Sequence, residues 1–470
     1  MNARRNYLGM DNRLDAFFAK LRSKKVVIIG IGVSNTPLIK LLLKKGVPVT
    51  VCDKKDADAL GQICDEIRSW GAKLLIGDEY PEQFDADVII RAPGVYFDSP
   101  ALVAARKRGV VVTSEMELFF DYCPCPIYAV TGSDGKTTTT SIIAECLTKQ
   151  GKLVHLGGNI GRCLFDKVEE MSHNDIAVVE LSSFQLMSMR KSPDVAVVTN
   201  MNPNHLDIHK DMNEYITAKK NIYLHQNAFG RCVLNAENAI TRSFAGEVRG
   251  QTAFFSSSNP VENGVYLKDG KLVHVTNGEE EEIMAADEIL LPGTHNAENY
   301  MAAFAAVWGV VDVKVMSEIA RTFKGVEHRE EFVRELDGVK YYNDSIATTP
   351  TRTIAALNAL KQNVILIGGG YDKKIPFEPL GKPVADTCKA VILFGDTAKK
   401  IGDTITATPG YNAEKTPIFY VGNMFEAVQK AHSLAKSGDF VTLSPACASF
   451  DRYPNYETRG EEYKTLVNKL

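Results

Sequence analysis

The residues best suited to chemistry are gathered in Thr131-Gly-Ser-Asp-Gly-Lys-Thr-Thr138. Gly132 and Gly135 can turn the backbone so that its N–H groups face an anion. Lys136 adds a point charge for a terminal phosphate, and Thr137 adds a hydroxyl suited to Mg²⁺. The apolar run Ile127 to Val130 enters this stretch, and a helix-compatible run leaves it near Lys136. The free N–H groups of such a helix start also favour phosphate. The pattern predicts a cradle for ATP, with Gly132, Ser133, Asp134, Gly135, Lys136, Thr137 and Thr138 as candidate contacts. The general P-loop pattern wants a glycine where Val130 stands. An ordinary glycine turn is the competing reading.

Further polar groups stand at the ends of apolar runs. Ala177-Val-Val-Glu-Leu181 reads as a strand ending in a carboxylate, and Glu180 suits the acidic Mg²⁺ ligand of a neighbouring strand. A carboxylate that merely caps a strand is the alternative. Asn159, in the glycine-rich turn Gly157 to Gly161, either reads a ligand or belongs to a plain turn. Val195 to Thr199 opens into a polar loop in which His205, Asp207 and His209 alternate, so an extended segment would place them on one face. Zinc lacks further ligands at suitable spacing. His205 is better read as the ligand of a second metal or as a phosphate contact. Lys219 and Lys220, on a helix predicted from Met212 to His225, read by default as a solvated face. Asn296 and Asn299 share a helix face and either read an adenine edge or cap the helix.

These groups need strands and helices to position them. Val26 to Ile29 is a short β-branched run, followed by Gly30-Ile-Gly32, a helical pattern and a second strand ending at Asp53. This is a βαβ unit with an acidic residue beyond the glycines, although Asn35 stands where the dinucleotide fingerprint has its third glycine. Further strands are expected at Val88 to Ile90 and Val110 to Val112, with Ala92-Pro-Gly94 at a strand end. Ligands of open α/β sheets sit beyond such ends. Cys123-Pro-Cys-Pro126 reads as a linker. Residues 230 to 290 read as short strands and turns. In the last third, Val339 to Tyr342, Val364 to Ile367, Ala390 to Phe394 and Phe440 to Leu443 alternate with helices, one of them starting at Pro350. They predict another open parallel sheet.

A chain of 470 residues has room for about three domains. A net charge of −4 without a long basic block argues against nucleic acid as a partner. Nine scattered cysteines fit a reduced, cytoplasmic chain better than a disulfide framework. The charged first 22 residues do not form a signal peptide, and no apolar run approaches the about 20 residues needed to span a bilayer.

Several motifs, taken in order along the chain, resemble the Mur ligases. They are Thr131 to Thr138, Glu180-Leu-Ser-Ser-Phe-Gln-Leu186, Asn204-His-Leu-Asp207, Gly293-Thr-His-Asn-Ala-Glu-Asn299, Glu327-His-Arg329, Asn343-Asp-Ser345 and Ser444-Pro-Ala-Cys-Ala-Ser-Phe-Asp451. The resemblance implies an α/β protein of three domains: a Rossmann-like substrate domain (1–121), a central P-loop ATPase-type domain (122–325) and a Rossmann-like open sheet for the incoming amino acid (326–470). It implies a monomeric cytoplasmic enzyme that joins D-glutamate to UDP-N-acetylmuramoyl-L-alanine through an acyl phosphate, within peptidoglycan precursor synthesis, using ATP and two Mg²⁺ ions. Domain closure is expected, because three substrates must meet.

By the same resemblance, Val33, Ser34, Asp53, Pro93, Gly94 and Asn159 would serve the UDP-substrate. Asn296, Asn299, Arg329 and Asp344 would join the phosphate loop in holding ATP. Thr348, Lys373, Ser449 and Tyr456 would serve the amino-acid end. Thr137, Glu180, His205 and Lys219 would hold metal, with Lys219 as a carbamate formed from CO₂. Lys136, Glu180, His205 and Lys219 would be the catalytic set. Two positions depart from the family pattern: Ile346 replaces a lysine, and Glu330 replaces an apolar residue. Arg352 or Lys374 is expected to replace the missing charge. Competing activities are a related ligase adding L-glutamate or another amino acid, an NAD-dependent dehydrogenase suggested by Gly30-Ile-Gly32 and Asp53, and an ATP-driven switch.

Overall fold

The computed structural model describes residues 11–160, 163–203, 205 and 208–470. Among these, the strands form three sheets. Sheet one contains β1 (Val26–Ile29), β2 (Val49–Asp53), β3 (Lys73–Ile76), β4 (Val88–Arg91) and β5 (Val111–Ser114), all parallel, in the order β3-β2-β1-β4-β5. Strand alternation divides its apolar residues between two faces. Val26 and Ile28 enter one core, while Val27 and Ile29 enter another with Ile89 and Leu102.

Sheet two contains β6 (Ile127–Thr131), β7 (Val154–Gly158), β8 (Ile176–Glu180), β9 (Val195–Val198), β10 (Arg231–Asn235), β11 (Gln251–Ser256), β12 (Gly264–Lys268), β13 (Lys271–Thr276) and β14 (Glu279–Ala285). Their order is β14-β13-β12-β11-β10-β9-β6-β8-β7. The block from β7 to β12 is parallel, and β12 pairs antiparallel with β13. β6 therefore lies between β8 and β9, and the chain leaves it at a point where the strand order reverses. Such a switch point is where open α/β sheets bind ligands.

Sheets one and two share a core. Ile28 and Leu38 belong to the same apolar cluster as Ala129, Val179 and Val198. Chain contacts accordingly gather residues up to Met284 and Asn299–Ser317 into one unit. The other unit comprises Ala285–Glu298 and Glu318–Leu470. It holds sheet three: β15 (Glu331–Leu336), β16 (Val339–Asn343), β17 (Val364–Gly368), β18 (Cys388–Leu393), β19 (Ile418–Tyr420) and β20 (Phe440–Leu443), ordered β15-β16-β20-β17-β18-β19. The expected parallel sheet is corrected at one edge, where β15 runs antiparallel to β16. Pro350 does begin a helix, Pro350–Leu360, because its fixed φ suits the first turn and its missing N–H costs nothing there.

The helix expected from Met212 to His225 is shorter, Met212–Lys220. Beyond it the backbone tightens: the N–H groups of Ile222 and Tyr223 donate three residues back, to Lys219 and Lys220. All nine cysteines are free thiols. Among the described residues no helix is long and apolar enough to cross a membrane.

Candidate functional site

β6 explains why the phosphate loop does without its first glycine. Val130 is still inside the strand, paired with Glu180 on one side and Val197 on the other. The turn comes two residues later. Gly132 has φ +148°, and a Cβ there would lie 1.9 Å from the Thr199 hydroxyl. Gly135 has φ +74° and caps the helix Lys136–Lys149; a Cβ there would lie 2.3 Å from Asn299 Oδ1. Only glycine fits either place. The β9 exit clamps the loop: Ser133 N–H donates to Asn200 O (2.9 Å), Asp134 N–H to Asn200 Oδ1 (2.9 Å), and the Ser133 hydroxyl to Asn202 O (2.8 Å). Lys136 Nζ curls back onto Ser133 O at 2.9 Å. Thr137 is half-buried and Thr138 buried.

Glu180 ends β8 beside this loop and is 2% exposed. Asn159 Nδ2 donates to its Oε1 at 2.6 Å, which joins two predicted site residues. Its Oε2 is buried and has no hydrogen-bond partner among the described residues. A buried, open carboxylate oxygen is costly unless something fills it. A carboxylate oxygen is a hard donor of the kind that suits Mg²⁺.

Lys219 is the largest departure from the residue-level reading. It is 2% exposed, not solvated. Its Nζ donates to Gly132 O (2.8 Å) and Thr131 Oγ1 (3.0 Å) and lies 5.0 Å above the Tyr215 ring. Burial, followed by the charge of Lys136, holds its ammonium well below the usual lysine range. The amine packs directly against the phosphate loop. Lys220 points outward to an ion pair with Glu247 at 2.5 Å.

The alternating histidines do not share a face. His205 has φ +56°, and both Ile208 N–H and His209 N–H donate to its carbonyl, so these residues are not extended. His205 is exposed and His209 buried, while Asp207 lies outside the described residues, as do Asn204, Gly161 and Arg162.

At the end of sheet one, Asp53 Oδ2 accepts from Ile31 N–H (2.7 Å), tying the acidic residue to the glycine turn. Asn35 replaces the missing glycine with a side chain that donates to Gly30 O (2.9 Å) and Ile29 O (3.2 Å). Val33 is 63% exposed beside it. Ser34 and Pro93 line one cavity with Arg91, Glu115 and Gln185, while Gly94 is exposed nearby. Arg91 was not foreseen. It is 1% exposed, and its guanidinium donates to Phe184 O (3.0 Å) and Ser188 Oγ (2.8 Å).

Asn296 and Asn299 begin one helix, Thr294–Val307, but fall in different units. Asn299 Oδ1 accepts from the Thr139 hydroxyl at 3.2 Å. Asn296 Nδ2 donates to Pro292 O (2.7 Å) and to Glu330 Oε2 (3.4 Å).

In the second unit the predicted residues gather where β16, β17 and β20 end. Asp344 is 4% exposed; burial first, and the Glu330 charge second, push its carboxyl up to about 8. It accepts from the Ser444 hydroxyl at 2.7 Å and from Glu330 N–H at 3.3 Å. Lys373 Nζ donates to the Thr348 hydroxyl (3.2 Å), which joins two predicted amino-acid contacts. Arg329 is half-buried, and its charge acts on Asp344 and Tyr456. Tyr456 opens the helix Tyr456–Asn468, and Ser449 is 2% exposed. Arg352 donates to Ile346 O at 3.3 Å, so one of the two expected substitute cations does stand beside the departure. Arg459 was also not foreseen. It binds Ser345 Oγ, Ser345 O, Cys447 O and Ala448 O, stitching the β16 exit to the β20 exit. Among the described residues, three metal-type ligands converge only at Glu327, His328 and Glu461, where the Lys464 ammonium already pairs with both glutamates.

Comparison with known proteins adds sequence to this geometry. Three family models match in succession: Mur ligase MurD-like N-terminal domain (24–114), Mur ligase middle domain (130–307) and Mur ligase glutamate ligase domain (328–447). The UDP-N-acetylmuramoylalanine--D-glutamate ligase of Acetivibrio thermocellus is 49% identical over 98% of this chain and 100% of its own. Its counterpart in Clostridium beijerinckii is 50% identical over 95% and 97%. Among solved structures, the UDP-N-acetylmuramate-alanine ligase MurC of Thermotoga maritima is similar in fold, with a TM-score of 0.56 at 19% identity over 95% of this chain and 99% of that one. The family models and the near-50% relatives, which span almost the whole chain, establish that it belongs to the Mur ligase family.

Proposed function

We propose that this chain is an ATP-dependent amide ligase that adds D-glutamate to UDP-N-acetylmuramoyl-L-alanine. The near-50% relatives named for that reaction support the substrates. The observation that carries the chemistry is the open Oε2 of buried Glu180 beside the phosphate loop. An unfilled anionic oxygen next to a phosphate cradle is what a nucleotide-bound Mg²⁺ requires.

A carboxylate is a poor acylating agent and must be activated. Its oxygen attacks the γ-phosphorus of ATP, ADP leaves, and an acyl phosphate results. The amine of D-glutamate then attacks the carbonyl carbon and phosphate departs. No protein nucleophile is needed. Gly132 to Thr138 hold the phosphates, and Lys136 swings from Ser133 O to the terminal phosphate. Thr137, Glu180, His205 and Lys219 would hold Mg²⁺, which when bound offsets charge on the transferring phosphoryl group. Lys219 can join them only as an anion. Only an unprotonated amine adds CO₂, releasing a proton and giving a carbamate, and burial of Lys219 favours that form. Val33, Ser34, Asp53, Pro93, Gly94 and Asn159 hold the UDP-substrate, and Asn299 the base of ATP. Within the second unit, Asn296, Arg329 and Asp344 are assigned to nucleotide, and Thr348, Lys373, Ser449 and Tyr456 to the amino acid. The three functional domains are taken as 1–121, 122–325 and 326–470.

The deciding assay is phosphate release from ATP with UDP-N-acetylmuramoyl-L-alanine and a panel of D- and L-amino acids. Release that depends on D-glutamate is expected. Equal release without any amino acid would indicate an ATPase switch, and dependence on L-glutamate would indicate the rival ligase. For the carbamate, labelled bicarbonate should place label on Lys219; an unmodified amine under CO₂-replete conditions would remove that step.

A further inference from the structure

His209 has no role in the chemistry above, yet its side chain is fully buried and both ring nitrogens are bonded. Nδ1 lies 3.1 Å from Glu214 Oε2, and Nε2 lies 2.9 Å from Ser183 Oγ. An ionised carboxylate can only accept, so Nδ1 donates to Glu214, and the second ring nitrogen is paired with the serine hydroxyl. Burial alone would raise the Glu214 carboxyl, but hydrogen bonds from Tyr96, Lys210 N–H and His209 outweigh it and hold the group below its usual range. The other oxygen of Glu214 accepts from Tyr96 OH at 2.5 Å. The His209 ring stacks on Phe184 (4.9 Å between centroids, 4° between planes), and Phe184 also meets the His205 ring edge-on at 5.3 Å. A core that only needed filling would be apolar here, since a buried imidazole is costly unless both nitrogens are satisfied.

Each partner belongs to a different part of the site. Ser183 lies three residues past Glu180. Glu214 is in the first turn of the helix that carries Lys219. Tyr96 follows the Pro93-Gly94 end of β4. His209 N–H itself donates to His205 O.

We propose that His209, with Glu214 and Tyr96, is a positioning strap that holds His205 and the Lys219 helix in register with the substrate-side loop of sheet one. The strap rests on the ligase reading for its kinetic consequence but not for its structural one. Its loss changes where the metal- and phosphate-facing groups stand, not which groups they are.

The test compares His209→Ala, His209→Asn and Tyr96→Phe with the unaltered protein by steady-state kinetics, thermal melting and hydrogen exchange in the ligand-free state. His209→Ala should lower kcat/KM by about 10–100-fold, as expected when the buried Glu214 and Ser183 groups lose their partner. It should also speed exchange at the Ile208 and His209 amides. His209→Asn, which can still donate to Glu214, should recover part of both. Tyr96→Phe should raise KM for the UDP-substrate by about three- to tenfold, the worth of one hydrogen bond, with kcat nearly unchanged. If His209→Ala and Tyr96→Phe lower only the melting temperature, leaving kcat, KM and exchange as in the parent, the strap is only a core contact and the proposal is overturned. Should His209→Ala fail to fold, the other two variants carry the test. A parent protein without D-glutamate-dependent phosphate release would refute the ligase reading instead, and the exchange measurement would still decide the strap.

Discussion

Lys219 and Arg459 are both cations with 2% or less of their surface exposed, and each stands at the strand ends of its own unit. Their surroundings differ. Arg459 spends Nε, Nη1 and Nη2 on four oxygens, three of them backbone carbonyls. Burial lowers its guanidinium only to about 10, so it stays charged. Lys219 meets one carbonyl and one hydroxyl, and burial pushes its ammonium well down. Glu180, at the end of β8, likewise keeps one buried oxygen open. Saturated buried charge is framework: it fixes where the β16 and β20 exits lie. Unsaturated buried charge is directed at something that has still to bind.

This contrast can be broken by exchanging function for stability in each unit. The largest effect belongs to Lys219→Ala. It should lower kcat by about 10²–10³-fold, comparable to losing one preorganised charge-stabilising group. Its melting temperature should stay close to the parent's, because its amine makes only two hydrogen bonds. A variant that melts far lower but turns over normally would make Lys219 framework, and the contrast would collapse.

Gly132→Ala comes next and sharpens the first half of the comparison. The added methyl would meet the Thr199 hydroxyl at 1.9 Å, at a φ that side chains rarely adopt. A loss of about 1–3 kcal/mol is expected for such strain. KM for ATP should rise as well, since the loop cannot keep its shape. Unchanged urea unfolding together with unchanged KM would show that the loop is softer than its clamps suggest.

Arg459→Met tests the other half. It removes the donor to the carbonyls of Ser345 and Cys447, while Ala448 O keeps the Tyr371 N–H, at a cost of about 1–3 kcal/mol in chemical denaturation. ATP binding by the isolated phosphate loop chemistry should be unaffected, which KM for ATP would check. Asp344 adds a pH signature. Its carboxyl is at about 8 in the folded chain against an ordinary 3.8, so between those values the folded state holds a proton that the unfolded state has released. Stability from this source is complete below the lower value and is lost as pH rises through the upper one. Asp344→Asn should flatten that fall, as measured by unfolding midpoints at about pH 5 and about pH 8.5.

The same division explains what was readable in the sequence. β1 and β20 announced themselves as short apolar runs with defined ends, and Pro350 marked a helix start through its own backbone chemistry. The antiparallel edge β15 did not, since Glu331–Leu336 mixes charged and apolar residues and strand direction is set by the turn at Asp337 and Gly338. Within the site, Gly132, Lys136 and Glu180 were legible because local spacing carries their chemistry. Lys219 was not legible from its residues, and only the family resemblance singled it out. The groups that bury it, Thr131 and Gly132, lie almost ninety residues upstream. Arg91 and Arg459 were missed for the same reason, and His209 was legible as a polar loop residue but not as a buried one. Burial of a polar side chain is a property of distant partners, and nothing in the adjacent sequence records it.

The smallest expected effect concerns Ile346, where the family pattern has lysine. A cation lost from one position can be replaced only by a side chain that reaches the same space. Arg352 lies six residues on, in the first turn of the helix Pro350–Leu360, and its guanidinium already touches Ile346 O. Lys374 turns its backbone N–H to Asp372 instead. Arg352→Ala should therefore raise KM for the amino acid by about two- to tenfold, the range of one exposed charge-assisted contact, with kcat little changed. Lys374→Ala should leave KM near the parent value. Equal indifference of KM to both substitutions would mean that this unit needs no cation there, and that its framework of saturated charges, rather than a free one, positions the amino acid.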